Sequence, residues 1–302
     1  MVKIRTKKED AASSYEVFMK KFAIILCVLT VLCLTLGVFL TGCRSVNQLN
    51  MLSIGWLDYE SYTFDVVEKN GNETQTVGTM TYTFKRLIGD PAKEFVNGKE
   101  YSVSSGGYCE YDLIVTAGEY AGSHLYSKVL FDSLFSPIVS YKKLDSSKDE
   151  LDYEVTADYS GKKTGTITIN GEEKSFKKKS GTYDNESLYT IIRGSVFNGD
   201  SAYKLSMKVP SNQTADIQTV TVTKTSAEEE ITSNLLDDET NKVKFKCSTF
   251  TASVPAKYGN GTSTTMSFSN EVYKKDGKSL IKVPVRIVEG NYEYILKAIN
   301  LA

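Results

Sequence analysis

The chain has 302 residues, of which 41% are hydrophobic, 24% charged and 11% aromatic, so it can bury a full core and is neither a disordered tail nor a collagen-like repeat. Its 36 Lys and Arg residues nearly balance its 37 Asp and Glu residues, which argues against binding nucleic acid through a basic surface. The single histidine, His124, leaves little room for a His-based catalytic or metal site.

An uncharged segment near the N-terminus indicates the compartment. Residues 22–42 follow two lysines, and their length fits both a membrane-spanning helix and a removable export signal. The segment ends in Leu40-Thr41-Gly42-Cys43, which resembles the lipobox of bacterial lipoproteins. The resemblance implies cleavage between Gly42 and Cys43 and lipidation of the Cys43 sulfur, with acyl chains such as palmitate holding the protein on the outer, extracytoplasmic face of the cell membrane. An uncleaved anchor helix is the alternative.

The expected organisation follows from this segment. Residues 1–42 form a cytoplasmic tail and signal helix, residues 43–59 a short tether, and residues 60–302 a single antiparallel β domain, since no repeat or long Pro/Gly linker divides the last range. Met19 stands directly before the two lysines and is an ordinary start for an export signal, whereas a start at Met1 adds a short tail. The part after residue 42 is mildly acidic, so we expect the lipid rather than basic residues to attach it to the membrane.

Two cysteines remain in the expected domain. Cys109 lies in phase with Tyr111 and Leu113, and Cys247 lies in phase with Phe245, so both thiols are predicted to face the core. An exported protein permits a disulfide between Cys109 and Cys247, and two reduced, buried thiols are the alternative.

Alternation of apolar and polar residues recurs along the expected domain. It is clearest at residues 80–84, 153–159, 203–209 and 281–287. Such segments form antiparallel strands with one face in the core and one in water. Asn170-Gly171 lies between two further segments and tolerates the positive φ angles of a type I′ turn, which predicts a tight hairpin.

Three short helices are also predicted. The clearest covers residues 184–194, where Asp184 or Asn185 can cap the start and an apolar stripe follows. A second covers residues 124–135, which carry an apolar stripe before a proline. A third, over residues 226–235, begins with a pattern typical of a capping box.

Scattered positions resemble a family of uncharacterised bacterial envelope proteins that is known only as a domain of unknown function. The positions are Tyr62-Thr63-Phe64-Asp65-Val66, Gly78, Gly181-Thr182-Tyr183-Asp184 and Val283-Pro284-Val285. The resemblance implies a strongly curved antiparallel sheet, an open half-barrel with helices at its mouth, similar in outline to lipoprotein carriers of the Lol type. It offers no catalytic residues to transfer to this sequence.

Motifs that carry chemistry are few. The sequence has no Gly-x-Ser-x-Gly elbow, no phosphate-binding Gly-x-x-x-x-Gly-Lys loop, no His-Glu-x-x-His and no pair of Cys-x-x-Cys motifs. We expect His124 to be a surface or capping residue, and we expect no metal and no cofactor.

The expected function is a non-enzymatic, membrane-anchored envelope lipoprotein that binds an apolar or amphiphilic ligand or serves as an assembly surface. The apolar phases of the strands and of the helix at residues 184–194 converge on one face of a half-barrel. The candidate ligand face comprises Leu188, Ile191, Ile192, Tyr153 and Tyr203. The alternatives are a cell-surface solute- or glycan-binding module and a hydrolase with an Asp/Glu pair that the sequence does not locate.

Overall fold

The computed structural model describes residues 56–71, 73–179, 181–195, 204–210, 217–235, 242–253 and 263–301, and all of them belong to one compact unit. Met19, the export segment, Gly42, Cys43 and Tyr203 lie outside the described residues. Within them, no helix is long and apolar enough to cross a membrane.

Antiparallel strands make up most of the described chain. In chain order they are β1 (Tyr59–Asn70), β2 (Glu73–Val96), β3 (Lys99–Val115), β4 (His124–Asp132), β5 (Pro137–Asp145), β6 (Tyr153–Asp158), β7 (Thr164–Ile169), β8 (Glu172–Lys177), β9 (Lys204–Pro210), β10 (Ile217–Asn234), β11 (Lys242–Ser253), β12 (Ser263–Ser269), β13 (Tyr273–Lys275), β14 (Lys278–Leu280), β15 (Pro284–Glu289) and β16 (Tyr292–Leu301). Fourteen of these strands form one sheet in the order β8-β7-β6-β5-β4-β3-β2-β1-β16-β15-β12-β11-β10-β9, and β13 and β14 form a separate ribbon. The prediction of a mainly β, antiparallel fold is confirmed.

The sheet curves until its two ends approach each other. Strands β8 and β9 are the free edges, and β1 joins the two arms of the sheet by pairing with β16 as well as β2. Ile217, at the start of β10, packs against a cluster that contains Val155, Ile167 and Phe176 from β6, β7 and β8. The sheet is therefore barrel-like and nearly closed.

The core fills the inside of this sheet. From Tyr62 to Val66 in β1 every second residue is buried, because one side of the strand faces the interior. The largest cluster of buried side chains joins both arms of the sheet to a short helix, α1 (Leu188–Ser195). We call this cluster the barrel core.

Helix α1 is the predicted helix at residues 184–194. A 3-10 turn (Asn185–Ser187) precedes it, and the side chain of Asp184 accepts a hydrogen bond from the backbone N–H of Glu186 at 2.8 Å, as expected of an N-cap. The predicted hairpin is also confirmed, since Asn170 and Gly171 have φ angles of 48° and 86° between β7 and β8.

The helix predicted for residues 124–135 is wrong, because this segment forms β4 and the turn after it. Its central residues are buried on both faces of the sheet. Val129 and Phe131 point into the barrel core, whereas Leu130 belongs to a second cluster on the opposite face, with Leu87 and other residues of β2 and β3. A strand that is buried on both faces loses its alternation and can be mistaken for a helix.

A bend in the β2–β3 hairpin creates the second cluster. The pairing of β2 with β3 is irregular between Ile88 and Ala92, and the hairpin beyond this point folds over the outer face of β4–β6. At its tip, the side-chain amide of Asn97 donates hydrogen bonds to Glu154 at 3.2 Å and Thr156 at 3.3 Å on β6. The outer face of β4 is covered for this reason.

The helix predicted for residues 226–235 is also wrong, because β10 runs through them. Exposed Glu230 lies opposite Lys246 on β11 and forms an ion pair with Lys244 at 2.8 Å. Ile231 and Leu235 are buried in the barrel core. Pairing with a lysine-rich strand thus outweighs the helix propensity of the glutamates. Of the two or three helices predicted, one α-helix is present in the described residues.

Candidate ligand-binding cavity

A cavity of about 250 Å³ opens at the end of the sheet where the loops after β3 and β5 meet. We call it the outer chamber. Most of its wall is apolar. The apolar residues come from the five neighbouring strands β1 to β5, and they are Val66, Val77, Leu113, Val115, Leu125 and Leu144. Leu151, in the loop after β5, lies at its rim and is 43% exposed. The sheet therefore leaves part of its interior unfilled at this end.

A second cavity of about 130 Å³ adjoins the first. We call it the inner chamber, and it shares Leu113, Leu125 and Tyr294 with the outer chamber. Because it extends to Tyr111 on β3 and to Ser127 on β4, it lies farther from the loops. The start of α1 forms part of its wall through Leu188 and Tyr189, together with Glu186 just before the helix.

Asp184 fixes the start of α1 at this position. Its buried carboxylate accepts hydrogen bonds from the hydroxyls of Ser140 and Tyr159 as well as from the backbone of Glu186. Burial raises the pKa of Asp184 and the negative charge of Glu186 adds to this rise, while the three hydrogen bonds oppose it. The cap thereby ties the helix to the inner faces of β5 and to the end of β6.

The charged groups of the inner chamber have hydrogen-bond partners. The ammonium group of Lys142 lies 3.0 Å from the carboxylate of Glu186, and both side chains are largely buried. Burial lowers the pKa of Lys142, but the charges of Glu186 and Tyr153 and the hydrogen bonds to them together outweigh burial, and the net shift is upward. The carboxylate of Glu289 accepts hydrogen bonds from the hydroxyls of Tyr189 and, at 3.3 Å, of Thr264.

Two hydroxyls of the inner chamber lack partners. Tyr111 and Ser127 lie opposite each other in the pairing of β3 with β4, and they are 7% and 1% exposed. Neither hydroxyl makes a hydrogen bond of ordinary geometry in the described part of the chain, although that of Tyr111 lies close enough to the Cys109 thiol to influence its pKa. Burial raises the pKa of Tyr111 well above its usual value, so the hydroxyl keeps its proton. Buried polar groups without partners are uncommon in native proteins and call for an explanation.

A separate polar network closes the other end of the barrel core. Arg193, near the end of α1, has no exposed surface, and its guanidinium lies 2.6 Å from the carboxylate of Glu60. It also donates hydrogen bonds to the carbonyls of Ile281 and Lys282 and stacks on Trp56, with 4.6 Å to the ring centre. None of these groups lines either chamber, so the network serves the fold rather than the cavity.

The residues of the predicted ligand face do not come together. Leu188 lines the inner chamber, whereas Ile191 and Ile192 are completely buried in the barrel core and line neither chamber. Tyr153 is half-buried beside the cluster of β6–β8, with the Lys142 ammonium 5.9 Å from its ring centre. Tyr203 lies outside the described residues.

The other residues singled out in the sequence have structural surroundings. Cys109 and Cys247 are buried and free, so the proposed disulfide is not formed in this structure. Burial raises the pKa of each thiol to about 12. His124 is half-exposed at the start of β4, with its Nε2 2.7 Å from the carboxylate of Asp112. The described residues contain no group of three or more His, Cys, Asp or Glu residues that could hold a metal ion.

Sequence reasoning missed the polar residues of the inner chamber. Tyr111 was placed in the core with Cys109, but Ser127 was hidden by the incorrect helix. With β4 written as a strand, Ser127 stands alone as a polar residue in the phase of Leu125, Val129 and Phe131. A single polar residue within an apolar phase is the signal that could have located it.

The fold and the cavity define the class of this protein: a barrel-like antiparallel β domain with an internal helix and a chamber at one end. No protein family matches the sequence, and no curated protein matches it. Among solved structures, the chain is similar to a beta-barrel-like protein of domain of unknown function DUF1849 from Brucella abortus. The likeness has a TM-score of 0.50 and 13% sequence identity, and it covers 82% of this chain and 98% of that chain. It shows the fold alone, an uncharacterised barrel-like domain.

Proposed function

We propose that this protein is a non-enzymatic lipoprotein of the cell envelope, anchored by a lipid on Cys43, and that its barrel-like domain binds an apolar or amphiphilic ligand. The observation that carries the ligand-binding proposal is the outer chamber. It is open, it is walled mostly by aliphatic side chains, and it adjoins a smaller, more polar chamber with which it shares three wall residues. A site of this form suits a molecule with one apolar and one polar part.

The size of the outer chamber supports the proposal. An apolar cavity of roughly 150 Å³ inside a protein can hold benzene. The outer chamber has about 250 Å³, which is enough for a ring or part of an alkyl chain. Each square ångström of apolar surface that a ligand removes from water contributes about 25 cal/mol, so even partial burial of a chain favours binding.

The alternatives have less support. A glycan-binding module would present rows of exposed tyrosines, but every tyrosine in the described residues is buried or half-buried. A hydrolase would present an open pair of carboxylates, whereas Glu186 in the inner chamber is paired with Lys142, and Glu289 is bound by two hydroxyls.

The experiment uses the purified protein and a naphthylamine dye whose fluorescence rises in apolar surroundings. Leu113→Trp fills the space shared by the two chambers and should abolish dye binding. Ile114→Trp is the matched control, because Ile114 is the next residue along β3 and is 46% exposed on the other face. The added bulk in Leu113→Trp costs about 1–3 kcal/mol, so circular dichroism must show that both variants are folded.

Mass spectrometry of a solvent extract from the wild-type protein completes the test. We expect a co-purifying amphiphile in the wild type that is depleted in Leu113→Trp. Equal dye binding by the two folded variants, together with an extract that contains no lipid, would contradict the ligand-binding proposal.

A further inference from the structure

The walls of the two chambers contain more acidic than basic side chains. The chamber walls contain one lysine, Lys142, and four carboxylates, those of Glu68, Glu119, Glu186 and Glu289. Glu186 is paired with Lys142, and Glu119 is paired with Lys148. In the described part of the chain, Glu68 and Glu289 have no basic partner within ion-pair distance.

Hydroxyl groups surround these two carboxylates in place of cations. Glu289 accepts hydrogen bonds from Tyr189 and Thr264, and Glu68 accepts one from Tyr292 at 3.3 Å. Tyr294, which lines both chambers, has a pKa that is raised by burial and by the charge of Glu289. The four carboxylates of the chamber walls therefore outnumber the two lysines paired with them, Lys142 and Lys148, and the walls carry a net negative charge.

The aromatic residues of the wall favour the same sign of ligand charge. Tyr292 lines the outer chamber beside Tyr294, whereas the ring of Tyr120 in the same wall already has the Lys148 ammonium 4.6 Å from its centre. The faces of aromatic rings attract cations, and a cation in a partly desolvated site gains most from them.

We infer that the ligand is a single-chain amphiphile with a cationic ammonium group, which places its chain in the outer chamber and its cation beside Glu289. This inference rests on the proposed ligand-binding function. A fatty-acid carboxylate would approach Glu289 and Glu186 in the inner chamber, where Lys142 is already paired. Like charges in such a site oppose binding.

The unpartnered hydroxyls of Ser127 and Tyr111 are a second, independent observation. Both residues line the inner chamber and both oxygens can accept a hydrogen bond, but each oxygen has almost no exposed surface, so a ligand reaches it only when a neighbouring side chain of the wall moves. A primary ammonium group has three N–H donors, which can reach more than one acceptor. A ligand of this kind satisfies groups that are costly to leave unpaired in the free protein.

The first test compares decylammonium, decanol and decanoate, which share an alkyl chain and differ in charge, in competition with the naphthylamine dye. We expect decylammonium to bind about tenfold or more tightly than decanoate, with decanol between them. Glu289→Gln should reduce this preference about tenfold and leave the affinity for decanol unchanged. Glu230→Gln is the matched control, since Glu230 is an exposed carboxylate on β10 that lines neither chamber.

The second test addresses the hydrogen bonds. Ser127→Ala should weaken the binding of decylammonium by about threefold to tenfold, the loss typical of one hydrogen bond. It should not change the binding of decyltrimethylammonium, which has no N–H. A merely structural Ser127 would affect both ligands alike. The free energy of unfolding of the variant should equal or exceed that of the wild type, because the substitution removes an unsatisfied buried hydroxyl.

The outcomes separate the inference from the function on which it rests. If neither the dye nor any decyl compound binds, the proposed function fails. If the compounds bind but decanoate binds as tightly as decylammonium, or Glu289→Gln leaves the preference intact, the inference is overturned and the binding function stands.

Discussion

Arg193 is the largest completely buried side chain in the described residues, and its charge is balanced by Glu60 at 2.6 Å. Removing one partner leaves the other charge buried and unpaired. We therefore expect Arg193→Met to lower the free energy of unfolding by about 3–5 kcal/mol. The double variant with Glu60→Gln should lose less than the sum of the two single variants. Urea denaturation of the four proteins in a double-mutant cycle measures the coupling.

The ion pair between Lys244 and Glu230 serves as the control, because both side chains are more than half exposed. Lys244→Met should change the stability only slightly, as exposed ion pairs contribute little. Additive losses for Arg193→Met and Glu60→Gln would contradict the interpretation of this pair as a coupled, buried unit.

Asp184 makes the stability depend on pH in an unusual direction for a carboxyl group. Burial and the charge of Glu186 raise its folded-state pKa, so the folded protein binds the proton more tightly than the unfolded chain does. The stability from this group is present below the unfolded pKa of about 4 and is lost as the pH rises through the folded pKa. Asp184→Asn keeps a capping oxygen and removes the titration.

The measurement is the free energy of unfolding of wild type and Asp184→Asn from below pH 4 to neutral pH. We expect the stability of the variant, relative to the wild type, to improve as the pH rises. The carboxylates that do not interact with Asp184 contribute equally to both proteins and cancel in the difference, which therefore reports Asp184 together with Glu186, the carboxylate coupled to it. A difference that is constant across the range would show that Asp184 has the same pKa in the folded and unfolded chains.

At the scale of elements, the sequence predicts secondary structure well where one face of a segment is exposed to water. The β7–β8 hairpin and the strand at residues 80–84 follow from alternation and from Asn170-Gly171, because these signals depend on local geometry alone. Strand β4 is different, since the folded β2–β3 hairpin buries its outer face. The local sequence of residues 124–135 gives no sign that the β2–β3 hairpin covers this strand.

The candidate site could be predicted only in part, for the same physical reason. Leu188 was found because it lies on an amphipathic helix, a local feature. The chamber walls instead combine residues far apart in sequence, such as Val66, Leu125 and Tyr294. These residues come close together only because the sheet curves strongly. In the sequence, each of them looks like an ordinary core residue of its own strand.

Helix α1 fills part of the barrel core, and a substitution at Ile192 tests this role. Its side chain is completely buried and lines neither chamber. Ile192→Asp places a carboxylate in an apolar environment, so we expect a loss of more than about 4 kcal/mol and a largely unfolded protein. Circular dichroism and urea denaturation report the result.

Ile114→Asp is the matched control for this substitution, because the same change is made at an isoleucine that is 46% exposed. It should leave the fold intact. A folded Ile192→Asp protein that has lost only dye binding would instead place Ile192 in the binding site, contrary to the structure.

At the scale of the whole molecule, the chain enters the barrel at the end opposite the cavity. Trp56 packs edge-on against Phe84 and Phe135, beside the turn between β4 and β5. The outer chamber lies near the other end of β1, where Val66 and Glu68 line it. None of the described residues that line the two chambers precedes Val66, so we expect lipidation at Cys43 and ligand binding to act independently.

Cys43 provides the test of the anchor. The uncharged segment and Leu40-Thr41-Gly42 before it predict a mature N-terminus that begins at a lipidated cysteine. Mass spectrometry of the membrane-bound protein should find an N-terminal peptide that starts at Cys43 and carries two or three acyl chains, the number needed for stable attachment. An intact peptide that spans Gly42 and Cys43 in the steady-state membrane fraction would contradict cleavage and favour an uncleaved helix. Cys43→Ser should block lipidation while the domain, released by detergent, binds the naphthylamine dye as tightly as before, because the described residues that line the chambers run from Val66 to Tyr294.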